Sequence, residues 1–159
     1  MLQIIGLANR TNKRMKIYLD TSVYNRPFDD QSQPKIRIET LAFTIIFQMI
    51  EAEEIELVSS SVLEYENNKN PFVFRQTWIK YYLSFAKHIQ EINESIRKRA
   101  SSLEKKKIGN IDALHLACAE AIEVDYFITC DDSIIKRHKD KRMKVLNPVD
   151  FIREGGGNV

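Results

Sequence analysis

Met15-Lys16-Ile17-Tyr18-Leu19-Asp20-Thr21-Ser22 is the stretch that decides the fold. Its apolar, β-prone centre predicts a short buried strand, and Asp-Thr-Ser supplies the turn and capping chemistry that stops it. The same grammar returns twice. Ile55-Glu56-Leu57-Val58 precedes Ser59-Ser60-Ser61, and Tyr126-Phe127-Ile128 precedes Thr129-Cys130-Asp131-Asp132. Residues 143–146 read as a fourth strand ahead of Asn147-Pro148. Helical patterns fill the intervals. One is predicted over residues 35–52, with Ile38, Leu41, Ile45 and Met49 as its inward stripe. An aromatic helix follows from 72 to about 86, and Ile89, Ile92, Ile96, Ala100 and Leu103 continue at helical spacing. Gly109-Asn110 ends that run and caps a helix whose Ala113, Leu116, Ala117, Ala121 and Ile122 can pack against a sheet. A short basic helix runs to about His138. Apolar strands alternating with helices predict an α/β fold with a parallel sheet covered on both faces.

The 159 residues, 43% of them hydrophobic, suffice for one domain with one core. The formal charge of +2 gives no chain-wide basic excess, so any nucleic-acid contact has to be local. Two cysteines, Cys118 and Cys130, are too few for a disulfide framework and lack metal spacing, which predicts reduced thiols and a cytoplasmic setting. Residues 2–8 make a poor signal peptide, and the run 41–50 is too short to span a bilayer. Residues 1–14 read as an N-terminal extension or a misassigned start, 15–152 as the domain, and 153–159 as a flexible tail.

Four carboxylates stand out against this frame: Asp20, Glu64, Asp112 and Asp131. In open parallel sheets the carboxyl ends of strands line the ligand crevice, so acids far apart in sequence can meet there. Each has an ordinary alternative. Glu64 can close a capping box with Ser61, Asp112 can answer a helix dipole, and Asp20 and Asp131 can form turns. Together they make an electrostatic problem, since two carboxylates about 4 Å apart repel by about 4 kcal/mol at an effective dielectric of 20. A hard divalent cation, Mg²⁺ or Mn²⁺, answers it with all-oxygen ligation. Glu39 and Glu66 rival Glu64, and Asp132 stands beside Asp131.

Asp20-Thr21-Ser22, Glu64, Asp112-Ala113-Leu114-His115-Leu116-Ala117 and Thr129-Cys130-Asp131, in that order, together with the ending Asn147-Pro148-Val149-Asp150-Phe151, resemble the signature of the PIN domain family. The resemblance implies a three-layer α/β/α fold with about four or five parallel strands. It also implies a metal-dependent ribonuclease, whose small single-domain members are chiefly VapC-like toxins of type II toxin–antitoxin pairs. Carried over by position, Asp20, Glu64, Asp112 and Asp131 would hold Mg²⁺ or Mn²⁺ and serve phosphodiester hydrolysis. Ser22 and Thr129 match hydroxyls that would orient those acids. RNA, a cognate antitoxin and a second copy of the chain are the partners implied. A catalytically silent PIN fold acting as an RNA-binding or scaffold protein is the second reading, and a phosphatase or receiver-like pocket the third.

Other residues stay open at this level. Arg26 can contact a phosphate or sit in a loop salt bridge, and His115, one turn from Asp112, can reach the pocket or be a buried hydrogen-bonded residue. Phe72, Phe74, Trp78, Tyr81, Tyr82 and Phe85 can stack bases, pack, or form a dimer face. The basic residues from Lys136 to Lys144 can guide RNA or simply be solvated.

Overall fold

The structure, a computed structural model, describes residues 13–154. The expected extension and tail therefore lie largely outside the described residues. Strand β1 (Met15–Leu19) is central in a five-stranded sheet of order β3-β2-β1-β4-β5, all pairs parallel. β2 is Ile55–Ser60, β3 His88–Gln90, β4 Tyr126–Ile128 and β5 Lys144–Leu146. Ile17, Tyr18, Leu19, Leu57, Val58, Phe127 and Ile128 are wholly buried, as strands covered on both faces require.

The helices are α1 (Thr21–Asn25), α2 (Pro34–Glu51), α3 (Ser61–Asn68), α4 (Val73–Leu83), α5 (Glu94–Glu104), α6 (Asn110–Ala121), α7 (Asp132–Arg137) and α8 (Pro148–Glu154). A 3-10 turn over Arg26–Phe28 links α1 to α2. The chain winds from β1 out to β2 and β3, crosses to β4, and winds out again to β5. Right-handed crossovers put the two windings on opposite faces, giving three layers. α2 packs with α8, and α5 with α6.

Two local expectations are corrected. Ile89 is not helical: it belongs to β3, which pairs with β2 through Val58, Ser59 and Ser60. Ile92 is not helical either: Asn93 starts α5 by accepting the Ile96 N–H at 2.9 Å, so the helical spacing is real only from Ile96 onward. The inward face of α2 is turned from the expected stripe. Ile38, Leu41 and Ile45 are exposed, and Glu39, Ala42, Phe43, Ile46, Phe47 and Ile50 are buried. The helix is apolar on both sides, and aromatic volume decides: Phe43 and Phe47 meet Tyr82 edge-on at 5.1 and 4.7 Å. Leu41→Lys should accordingly change unfolding free energy by no more than about 0.5 kcal/mol in urea titrations. A loss of several kcal/mol would put Leu41 back in the core.

α8 continues to Glu154, past the expected end of the domain at 152. Cys118 and Cys130 are free and buried, and burial pushes their thiols up to about 11 and about 12, so neither is a reactive thiolate. Among the described residues no helix is long and apolar enough to cross a membrane.

Candidate active site

From β1 the chain continues to one edge of the sheet and later to the other, so the order reverses between β1 and β4. Such a switch point opens a crevice at the strand carboxyl ends. Asp20 follows β1 directly and its backbone N–H bonds Ile128 O at the end of β4, 3.1 Å away. Its Oδ1 accepts from the Ser22 N–H at 2.8 Å and from Ser22 Oγ at 2.5 Å, which starts α1. Across the crevice Asp131 does the same for α7, its Oδ1 accepting from Ser133 N–H at 2.9 Å and Ser133 Oγ at 2.7 Å. The Asp-x-Ser cap is also used by Asp30 and Ser32 in the surface loop, so it accounts for local geometry and not for the pairing of the two acids.

Ser22 and Thr129 tie the two strand ends together. Ser22 Oγ accepts the Cys130 N–H at 3.0 Å and lies 3.5 Å from Thr129 Oγ1, which accepts the Asp131 N–H at 3.0 Å. Asp20 is almost fully buried, and burial raises its carboxyl from the ordinary value, against hydrogen bonds from Ser22 and Thr129 that favour the charged form. Asp132, the neighbour of Asp131, points to the surface and pairs with Lys35 at 3.0 Å.

Asp112 enters from the first turn of α6. Burial first, then the charges of Asp20 and Asp131, and to a lesser degree Glu66, push its carboxyl up to about 6, with His115 pulling the other way. Asp20, Asp131, Asp112 and Glu66 thus share one electrostatic neighbourhood. Glu64 is not in it. It is exposed on α3 and lines a separate groove with Asn67, Lys80, Leu83 and Ile89. Ser60, not Ser61, caps α3 by accepting the Leu63 N–H at 3.3 Å, so the expected Ser61–Glu64 capping box does not form. Glu66 Oε1 instead accepts from Thr21 Oγ1 at 2.6 Å and from His115 Nε2. Against burial, these two hydrogen bonds hold the Glu66 carboxyl below its usual range.

His115 is buried and lies in contact with Glu66 and with the Tyr18 hydroxyl. Arg26 is committed elsewhere: its guanidinium pairs with Asp29 at 3.1 Å and with Glu39 at 3.0 Å. Glu39 is buried, and Asn147 Nδ2 donates to it, so it is a buried ionic clamp between α2 and the end of β5. In the basic segment, Arg137 donates to Lys107 O at 2.7 Å.

Oxygen-only carboxylate donors match a hard divalent cation. Among the described residues no group of three or more His, Cys, Asp or Glu forms a cluster that holds a metal ion as the side chains stand. A cavity of about 530 Å³ lies elsewhere, at the opposite ends of β4 and β5 beside Asp125 and Met143. Its walls carry the Arg99–Glu120 ion pair (2.6 Å), on which His138 Nε2 also converges at 3.0 Å.

An open parallel sheet with acids gathered at its switch point defines the class as an α/β protein with an acidic carboxyl-end site. The PIN domain profile matches residues 17–141, and the chain belongs to the PIN domain family. Among solved structures it is similar to VapBC2 from Rickettsia felis, crystallised bound to a DNA fragment from the promoter of that pair. The TM-score is 0.55 at 16% identity, covering 84% of this chain and 98% of that one, a likeness of fold. No curated protein matches the chain.

Proposed function

We propose that this chain is a divalent-metal-dependent endoribonuclease, the toxin of a toxin–antitoxin pair, with Asp20, Glu66, Asp112 and Asp131 as its acidic quartet. The observation that carries the reading is the meeting of Asp20, Asp131, Asp112 and Glu66, from four separate segments, at the β1/β4 switch point, where burial first and then the neighbouring acids raise the Asp112 carboxyl. Structural carboxylates are normally paired with cations, and these are not paired with any lysine or arginine among the described contacts. A bound Mg²⁺ or Mn²⁺ supplies a lowered water pKa and countercharge for the phosphoryl oxygens.

The chain's own residues do the rest. Ser22 and Ser133 each hold one oxygen of Asp20 and Asp131, fixing the carboxylate planes before a cation arrives. Asp112, which enters the crevice from the first turn of α6, is the group assigned to take a proton from the attacking water. Family membership and the likeness of fold to VapBC2 support the reading. A protein partner fits the exposed Phe72, Phe74, Trp78 and Tyr81 along α4 and its approach, since clustered apolar exposure marks interaction surfaces. A second copy of the chain is the other occupant consistent with that face.

The test is cleavage of single-stranded RNA by purified chain with Mn²⁺ or Mg²⁺. EDTA should stop it, Glu66→Gln should slow it by about tenfold to a hundredfold, and Glu64→Gln should leave it unchanged. RNA left intact under both metals, with a stable partner recovered, favours the scaffold reading. Loss in Glu64→Gln with activity kept in Glu66→Gln would return the fourth position to Glu64.

A further inference from the structure

Asp20 and Asp131 are held by backbone and hydroxyl donors two residues away, but Glu66 has no such local cap. Its Oε1 is held by side chains from two other elements, Thr21 of α1 and His115 of α6, while Oε2 accepts from neither. Behind His115 the hydrogen bonding continues inward. His115 Nδ1 is 2.6 Å from the Tyr18 hydroxyl, and that hydroxyl is 2.6 Å from Ser60 Oγ. Tyr18, Ser60 and His115 are at most 1% exposed, so their polar atoms have to be matched inside the protein.

Direction follows from the donors available. The Glu66 carboxylate offers only lone pairs, so His115 Nε2 carries the hydrogen. A neutral ring then presents Nδ1 as an acceptor, and the Tyr18 O–H is the donor that meets it. Ser60 Oγ accepts the Leu63 N–H on one side and donates its own hydrogen to the Tyr18 oxygen on the other. With the ring neutral, the run Ser60 to Tyr18 to His115 to Glu66 is complete, each hydrogen pointing toward the crevice.

We propose that Tyr18, acting through His115, is a positioning residue for Glu66: it fixes the ring as the Nε2–H tautomer, which anchors Oε1 and leaves Oε2 for the cation. The proposal rests on the site reading given above. Tyr18 has no other need of its hydroxyl. Its ring stacks on Phe127 at 5.3 Å with planes 9° apart, a packing that phenylalanine would reproduce. Because outer groups that orient ligands commonly set metal affinity by tenfold to a hundredfold, the hydroxyl should matter at the cation although it never touches it.

The experiment titrates metal-free full-length chain with Mn²⁺ alone, followed by electron paramagnetic resonance, in wild type, Tyr18→Phe and Asp20→Asn. The ¹⁵N resonances of the His115 ring are read in the same samples at pH 8. Expected are Mn²⁺ affinity about tenfold to a hundredfold weaker in Tyr18→Phe, and a His115 ring that passes from a single Nε2–H form to a mixture. Tyr18→Phe binding Mn²⁺ as tightly as wild type, while Asp20→Asn has lost it, overturns the positioning role and leaves the metal site standing. Wild type that binds no Mn²⁺ overturns both. Should Tyr18→Phe not fold, the wild-type ring still decides: a hydrogen on Nδ1 at pH 8 overturns the proposal.

Discussion

Asp112→Asn should abolish RNA cleavage and at the same time raise the melting temperature of the metal-free protein. The loss follows from the role proposed for a proton-accepting metal ligand and should be on the order of a thousandfold. The gain in stability follows from what the folded chain does to this carboxyl. Burial and the charges of Asp20 and Asp131 raise it from 3.8 to about 6, so the folded protein binds this proton more tightly than the unfolded chain does. That contribution is present in full below about pH 4 and is lost as pH rises through about 6. Melting curves of wild type and Asp112→Asn should therefore diverge across that window, the variant being the more stable at pH 7.5. Saturating Mn²⁺ should reverse the order, because the cation stabilises only the protein that can hold it. Equal melting temperatures at pH 7.5 without metal would mean that Asp112 is not under repulsion, and would remove the observation on which the site rests.

The second large effect lies outside the site. Arg26→Ala should lower unfolding free energy by about 3–5 kcal/mol, because it leaves a buried carboxylate without its cation. Glu39 is 1% exposed, whereas the Arg26 side chain keeps 18% of its surface and a second partner in Asp29. The asymmetry gives the comparison its force: Glu39→Gln strands a cation that water and Asp29 still reach, and should cost less. Urea titrations of the two variants check the ranking. A loss below 1 kcal/mol in Arg26→Ala would show that Asn147 alone satisfies Glu39.

The topology, and the placement of Asp20, Asp112 and Asp131 at its strand ends and helix start, were legible in the sequence because each depends on local chemistry. A β-prone segment followed by Asp-x-Ser declares a strand end and a helix start together, and Gly109-Asn110 declares the start of the helix that brings Asp112. Which of Glu64 and Glu66 lies beside Asp112 and His115 was not legible. Choosing among Glu64 and Glu66 requires the rotation of α3 about its axis, and two residues turn a helix by about 200°. That rotation is set by which of three consecutive serines caps the helix, and the answer, Ser60, depends on a tyrosine 42 positions away. The buried face of α2 failed for a related reason: with isoleucine and phenylalanine on both sides, periodicity supplies a face but not its orientation. β3 escaped because three residues of an edge strand, His88–Gln90, carry too little pattern. The signal that could have found Glu66 was present in His115, whose buried place beside Asp112 called for a carboxylate partner.

The reversal of strand order between β1 and β4 has a consequence for the chain as it is made. The first wall of the crevice, from Asp20 to Glu66, is complete when less than half of the residues have been joined, but the second wall waits for Asp112, Asp131 and the capping Ser133. β4 then has to slip in beside β1, a partner more than a hundred positions upstream, before the acids face one another. On the reading proposed above, a growing chain would be inert toward RNA until β4 and α7 have been made. If that reading holds, synthesis order itself would supply an interval in which a partner could meet the exposed aromatic helix α4 before the acids are assembled.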